Sequence, residues 1–385
     1  MKLTHRDYRK ICLASLAALV LMPFTNSTQA QSAWAPKASL PAAGMYMSAA
    51  AINGTVYGAG GNNGSGMANL QAYNTTNNTW TGLAAMPSTR YQNDGLAVIS
   101  NKLYCVGGWY GSLPTSTLWV YDPVANSWDQ TRASMPILSA AGACGVISNK
   151  LYITTPADGY SGYYSFLHVY DPGANTWTAL PNSPRPHTGP AYGVIGNKLY
   201  VAGGYDGANT TNILDVYDPS SNSWSTKAPM LTSRQSPSST VINGKLYVFG
   251  GYVSATGTYL NSVEVYDPAS NAWLSESNMP ATRAATAAAN ANGIAYICGG
   301  QNSIISGLST VEALIPTGSS INVFAGIWVS GLVGGTYEID YRNSLSSGSW
   351  ASLTTSLVLS NNPTLYIDTN SPNYTQRFYR AVFLH

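Results

Sequence analysis

Six tryptophans, Trp34, Trp80, Trp128, Trp177, Trp224 and Trp273, follow one another at intervals of 46, 48, 49, 47 and 49 residues. A spacing that regular marks a chain of repeats. A unit of this length cannot bury an apolar face by itself, so each unit must pack against its neighbours.

Other positions keep the same period. Apolar strands end in paired glycines at Val56 to Gly60-Gly61, Leu103 to Gly107-Gly108, Leu199 to Gly203-Gly204, Leu246 to Gly250-Gly251 and Ala295 to Gly299-Gly300. After a variable loop, a second strand closes in Tyr-Asp-Pro at Tyr121-Asp122-Pro123, Tyr170-Asp171-Pro172, Tyr217-Asp218-Pro219 and Tyr266-Asp267-Pro268, and the tryptophan follows seven residues after that tyrosine. Asp-Pro starts a tight turn, because Pro presets φ and Asp bonds nearby backbone. Asn126, Asn175, Asn222 and Asn271 stand near the close of the turn, where a left-handed residue is tolerated. Tyr and Trp flank the hairpin and supply broad faces for packing one sheet on the next, so five of the tryptophans read as core and not as ligand platforms.

On these residues the chain resembles the kelch family, over about three quarters of its length. The resemblance implies a β-propeller with one four-stranded blade per repeat. The repeat that begins near Ala281 keeps its glycines but reads Ala313-Leu314-Ile315-Pro316 in place of Tyr-Asp-Pro, with no tryptophan on schedule. The missing tail stands near the start, where Trp34 to Leu40-Pro41 matches Trp80 to Met86-Pro87. The expected fold is therefore an all-β, six-bladed kelch-type propeller over residues 31–316, closed by the N-terminal strand, which removes open sheet edges. Two units depart from the pattern. The third has Thr154-Thr155-Pro156 where glycines are expected, and the first has Tyr73-Asn74 for Tyr-Asp-Pro.

Beyond Pro316 the repeat stops. Period-two alternation at 321–329 and 337–341, with short apolar runs at 357–359, 365–367 and 378–384, predicts about five strands. Residues 317–385 thus read as a small, sandwich-like β accessory domain for attachment, sorting or spacing.

Residues 1–30 read as an export signal: basic Lys2, Arg6, Arg9 and Lys10, the apolar run Ile11 to Phe24, and a small-residue cleavage site near Ala30. The expected location is outside the cytoplasm, whether periplasmic, cell-surface or extracellular. No later stretch approaches the roughly 20 apolar residues of a membrane span. The chain carries 18 basic and 16 acidic residues, a net +2; removing four bases and Asp7 leaves about −1. That balance gives nucleic-acid binding no electrostatic support. The three cysteines left after cleavage, Cys105, Cys144 and Cys298, are odd in number and argue against a disulfide framework.

In a propeller the loops that enter each repeat and the loops after the glycine pairs emerge on one face. That face collects Arg90, Arg234 and Arg283 from the entering loops, and Trp109, Tyr110, Tyr160, Tyr163, Tyr205, Asp206, Tyr252 and Tyr259 from the others. Arginine and aromatics among Asn and Ser have the composition of a recognition surface. The arginines also fit a second role, fixing the blade loops from within. The expected ligand-binding set is Arg90, Trp109, Tyr110, Tyr160, Tyr205, Asp206, Arg234, Tyr252 and Arg283. Its ligand is a protein or a glycan, and the chain is read as a monomer. No catalytic triad, metal spacing or phosphate loop is present, so no cofactor is expected. The alternative is an exported carbohydrate-active enzyme. Some kelch-like propellers are copper oxidases using paired histidines and tyrosines, but His168 and His187 fall at unrelated repeat positions. Others epimerise sialic acid with a carboxylate and an arginine, which Asp94, Asp158 or Asp206 beside Arg90 or Arg234 would have to supply.

Overall fold

The computed structural model describes residues 32–92, 95–157 and 162–315, and then five strands at 325–329, 336–342, 351–358, 364–368 and 378–383. The expected export signal lies outside the described residues, as do Asp94, Asp158 and Tyr160. Contacts divide the chain into two compact units, one ending at Thr317 and the other beginning at Gly318.

The first unit is built of six four-stranded antiparallel sheets, the first five laid down in chain order from the inside outwards. Blade one is Ser48–Ile52, Thr55–Ala59, Leu70–Asn74 and Thr79–Gly82. Blade two is Gly95–Ile99, Lys102–Val106, Leu118–Asp122 and Ser127–Asp129. Blade three runs Cys144–Ile147, Lys150–Ala157, Tyr163–Asp171 and Thr176–Leu180, and blade four Ala191–Ile195, Lys198–Ala202, Leu214–Asp218 and Ser223–Lys227. Blade five is Ser238–Ile242, Lys245–Phe249, Val263–Asp267 and Ala272–Glu276. Blade six takes Ala287–Ala291, Ile294–Cys298 and Val311–Ile315, and its outer strand is the N-terminal Ala33–Lys37.

That last pairing closes the circle. Trp34 stands opposite Leu314 in the register, its indole Nε1 donates to the Ser277 carbonyl at 3.0 Å, and its ring meets Phe249 edge-on at 6.2 Å. The first strand of blade six also touches the first strand of blade one. Every ring-forming sheet thereby has four strands.

The periodic residues act as a clasp between neighbours. In blade two, Asp122 Oδ1 accepts the backbone N–H of Val124 and Ala125, Asn126 takes φ 48°, and the Tyr121 hydroxyl donates to Asn126 Oδ1 at 2.6 Å. The same Asn oxygen accepts the Ala84 N–H, and Trp128 Nε1 donates to the Ala84 carbonyl, so one linker residue is held at both backbone groups. Every repeat tryptophan makes the equivalent bond to the linker before its blade, at 2.8–3.0 Å. The Tyr and Trp rings lie 5.1–5.3 Å apart in blades one to five. The tryptophans are clamps more than core: Trp273 is buried, and the others are half-buried with one edge on the linker. Blade one keeps the device without Asp-Pro, because Asn74 Oδ1 accepts from Thr76 and Asn77 as the aspartates do.

Glycine is required where the entering loop crosses the end of a second strand. A side chain at Gly250 (φ +57°) would collide with the Arg283 carbonyl oxygen. Blade three, with Thr154-Thr155 at this point, instead prolongs its second and third strands into a bulged hairpin, Lys150–Ala157 with Tyr163–Asp171. Among the described residues the three cysteines are buried and form no disulfide, and burial pushes the Cys298 thiol up to about 12.

The second unit holds the five strands in two antiparallel sheets. Ala325–Val329 pairs with Thr364–Asp368, and Thr336–Arg342 lies between Ala351–Val358 and Phe378–Phe383. Among the described residues there is no helix, and hence none long and apolar enough to cross a membrane.

Candidate ligand-binding face

The entering loops and the post-glycine loops share one face because they are hydrogen-bonded to each other. Isolated β-bridges join Met45 to Asn62, Tyr91 to Trp109, Thr188 to Tyr205, Gln235 to Tyr252 and Ala284 to Gln301. At the centre of that face the six entering loops form a closed circle. The backbone N–H of Tyr46 donates to Ala285, Ala285 to Ser236, Ser236 to Gly189, Gly189 to Ala141, Ala141 to Gln92, and Gln92 back to Tyr46, all at 2.7–2.9 Å. All six residues are left-handed, with φ between 50° and 62°. Five of them are not glycine and bear a strain that only a tightly determined loop sustains.

Two cavities meet at this circle. One is a narrow axial channel of about 90 Å³, lined by the circle and by the starts of the inner strands, including Ser48, Tyr192, Ser238, Ser239 and Thr286. Several of its hydroxyls are already used between blades, as Thr286 Oγ1 donates to Ser238 Oγ and Ser239 Oγ to the Tyr192 carbonyl. The other is a wider cup of about 340 Å³ facing outwards, lined by Tyr46, Gln92, Tyr163, Thr188, Gly189, Tyr205, Gln235, Ser236 and Ser254. Burial first, then the nearby Tyr259 and Tyr91 hydroxyls, push the Tyr46 phenol above its usual value, with Gln301 pulling the other way.

The arginines do not face this cup. Arg234 is fully buried; it donates to the carbonyls of Gly250 (2.8 Å) and Ser262 (3.1 Å), to Ser262 Oγ and to the Glu264 carboxylate, which also forms an ion pair with it. Arg283 is buried and paired with Glu312 at 3.0 Å. Among the described residues Arg90 has no carboxylate partner; its guanidinium lies 4.3 Å over the Trp119 ring and donates to Ser88, Thr89 and Thr117. Burial lowers both Arg90 and Arg234 from the usual guanidinium value. Against the expectation that all three contact ligand, they anchor loops from inside the blades. The physical reason is complementarity within each repeat. The third-strand position that receives the entering-loop side chain is Trp119, Asp215, Glu264 or Glu312, opposite Cys105, Val201, Val248 and Ile297 in the second strand.

In blade four that loop position is His187, whose Nδ1 donates to the Gly203 carbonyl (2.7 Å) while Nε2 lies 3.1 Å from Asp215 Oδ2. Arg185 pairs with the same carboxylate at 2.9 Å, and Thr226 donates to its other oxygen at 2.6 Å. Burial alone would raise the Asp215 carboxyl, but the bonds from His187 and Thr226 and the charges of His187 and Arg185 hold it below the usual carboxylate range. A folded value below the unfolded one, about 3.9, means a stabilisation that is present above about pH 4 and lost as pH falls through the folded value. Asp215→Asn should therefore lower stability at pH 7 and flatten its loss between pH 5 and pH 3, as followed by urea unfolding. An unchanged slope across that window would contradict the assignment.

The aromatic positions are distributed around the face. Tyr205 lies in the cup and meets Tyr163 edge-on at 5.3 Å. Trp109 stacks on Tyr91 at 6.5 Å and 17°. Tyr110 is exposed and covers Arg90 at 5.5 Å, and Tyr252 pairs with Tyr259 at 5.0 Å in a small hairpin. Asp206 is a turn former: its Oδ1 accepts the N–H of Ala208 and Asn209, and these bonds hold it below the usual range. Tyr160 lies outside the described residues. Sequence reasoning missed Tyr46, Gln92, Thr188, Gln235 and Ser236. Tyr46, Gln92 and Ser236 stand two residues after Gly44, Arg90 and Arg234, an offset that the repeat itself carries.

A family model described as Attractin/LZTR1 beta-propeller matches residues 55–307. The chain belongs to the kelch-repeat β-propellers. Among curated relatives, the spermatocyte protein spe-26 of Caenorhabditis elegans is 27% identical over 184 residues, 45% of this chain and 31% of its own length. Kelch-like protein 35 of Mus musculus is 26% identical over 167 residues, 42% and 28% of the two chains. Kelch-like protein terF of Aspergillus terreus is 28% identical over 155 residues, 36% and 33%. The chain thus spans less than half the length of these relatives. A solved structure titled "Structure of YjhT" superposes with a TM-score of 0.63 at 20% identity, covering 71% of this propeller chain and 95% of the other, which is a likeness of fold.

Proposed function

We propose that this propeller is an exported, non-catalytic recognition module that binds a protein or a glycan through its loop face. The observation that carries this reading is the division of labour in the entering loops. Their large charged side chains turn inwards to brace the blades, whereas neutral polar and aromatic groups surround the central cup. Such a face offers contact area and hydrogen bonds, and among the described residues no ionic side chain lines the cup. The basic start and apolar run at residues 1–30 support export.

An epimerase of sialic-acid type needs an arginine aimed at its substrate, and Arg90 and Arg234 are spent inside the blades. Turnover by the purified protein in a mutarotation assay would overturn the non-catalytic reading. The direct test is binding of the mature chain to a glycan panel and to cell-surface extracts. Tyr205→Ala and Trp109→Ala should each weaken binding by about 2 kcal/mol or more if they are anchor side chains. Wild-type binding by every loop-face variant would sink the proposal.

A further inference from the structure

We infer that the cup at the centre of the loop face takes an uncharged saccharide, seated on Tyr205 and Tyr163 and hydrogen-bonded by Gln92, Gln235 and Ser236. This rests on the recognition reading above and narrows its ligand. The first argument is charge. Among the described residues no lining side chain is ionic, and the three large cations of the entering loops are withdrawn into the blades. Arg185, next to that loop in blade four, is neutralised by Asp215. An anionic sugar would leave water without a counter-charge, at a cost that a neutral one avoids.

The second argument is the type of group present. Amide and hydroxyl side chains each offer both a donor and an acceptor. Sugar hydroxyls have the same dual character, whereas a charged group is a donor only (ammonium, guanidinium) or an acceptor only (carboxylate). A sugar ring also has an apolar C–H face, and an aromatic ring with a polar tip complements both of its surfaces.

The third argument is size. The cup, about 340 Å³, falls within the range of small-molecule sites, about 300–1,000 Å³. The channel beyond the circle, about 90 Å³, has room for water-sized molecules but for no sugar ring, so the ligand stops at the mouth. The exposed apolar groups that a protein partner would seek, Ile304, Ile305 and Leu113, are outside the cup lining.

The experiment is calorimetric titration of the mature chain with uncharged hexaoses of glucose, mannose, galactose, xylose and N-acetylglucosamine, and with N-acetylneuraminic acid. At least one neutral hexaose should bind, and N-acetylneuraminic acid should bind at least tenfold more weakly. Tyr205→Ala and Gln92→Ala should each weaken the neutral ligand tenfold or more. Val124→Ala, in the exposed outer turn of blade two and outside the cup lining, should change affinity less than threefold. Thermal melts identical to wild type show that the variants remain folded, and Tyr205→Phe, which keeps the ring, should retain most of the affinity. Preference for the acid, or cup variants that bind like wild type, overturns the inference. If no saccharide binds but loop-face variants lose a protein partner from surface extract, the saccharide falls and the recognition reading survives. If no loop-face variant alters any binding, both fall.

Discussion

Deleting the Ala33–Lys37 strand should open the propeller and turn the protein into a self-associating one that unfolds at much lower urea. The strand covers the outer edge of Val311–Ile315 along five register pairs, from Ala33 with Ile315 to Lys37 with Val311. Without it that edge presents unpaired N–H and C=O groups, a template for another copy of the chain. The Trp34 clamp on Ser277 goes at the same time, as does its contact with Phe249. Losing a large aromatic contact alone commonly costs about 3 kcal/mol or more, and the ring geometry spreads the damage to blades five and one. Size-exclusion chromatography with light scattering and urea unfolding would read the result. A synthetic peptide of residues 32–38 added in trans should recover part of the stability. Trp34→Ala, which keeps the strand but loses the clamp, should fall between the two. A deletion protein with wild-type elution and midpoint would mean that the ring does not depend on this latch.

The latch was legible before any coordinates because its parts are periodic. Trp34 with its following Leu40-Pro41 completes a unit that Ala313-Leu314-Ile315-Pro316 leaves unfinished, and a ladder of pairs is set by such patterns. The turn chemistry was legible for the same reason: a left-handed Asn after Asp-Pro serves backbone geometry that repeats wherever the fold does. What escaped was the second use of each residue. Asn126 is both a turn residue and the acceptor that binds Tyr121 and the Ala84 linker, and that linker is some forty residues away in sequence. Long-range partners of a side chain leave no mark in the spacing of one repeat.

The binding face shows the limit more sharply. Placing the entering and post-glycine loops together followed from strand counting, and the bridges between them agree. Which way the side chains turn did not follow. Arg90, Arg234 and Arg283 sit in surface loops by topology, yet each points into its own blade, because a third-strand residue in the interior offers a carboxylate or an indole face. A signal was available: Trp119, Asp215, Glu264 and Glu312 each stand between two apolar residues in a strand covered on both faces. A carboxylate at a buried strand position demands a cation, and the only question is from which loop. The cup residues Tyr46 and Gln92 were hidden by a different effect. Their left-handed backbone belongs to a circle of six hydrogen bonds that exists only once the ring has closed.

Arg234→Ala should be the most destabilising single change in the entering loops, by about 3–5 kcal/mol, the cost of leaving a buried carboxylate without its cation. Glu264 is 2% exposed and keeps one other bond, the Leu231 N–H on Oε2 at 2.7 Å. The carbonyls of Gly250 and Ser262 lose donors too. Arg234→Met with Glu264→Gln should recover most of that loss, since the amide oxygen still accepts from Leu231 while the charge is gone. Arg90→Ala should cost less than Arg234→Ala, because its partner is the Trp119 ring and no carboxylate is stranded. Urea unfolding of the single and double variants supplies a coupling energy for the pair. If instead Arg234→Ala kept wild-type stability while abolishing ligand binding, the arginine would be a ligand contact after all, and the neutral cup would lose its first argument. The expected pattern is the reverse: binding falls only in proportion to the unfolded fraction, because the guanidinium contacts the blade interior and does not line the cup.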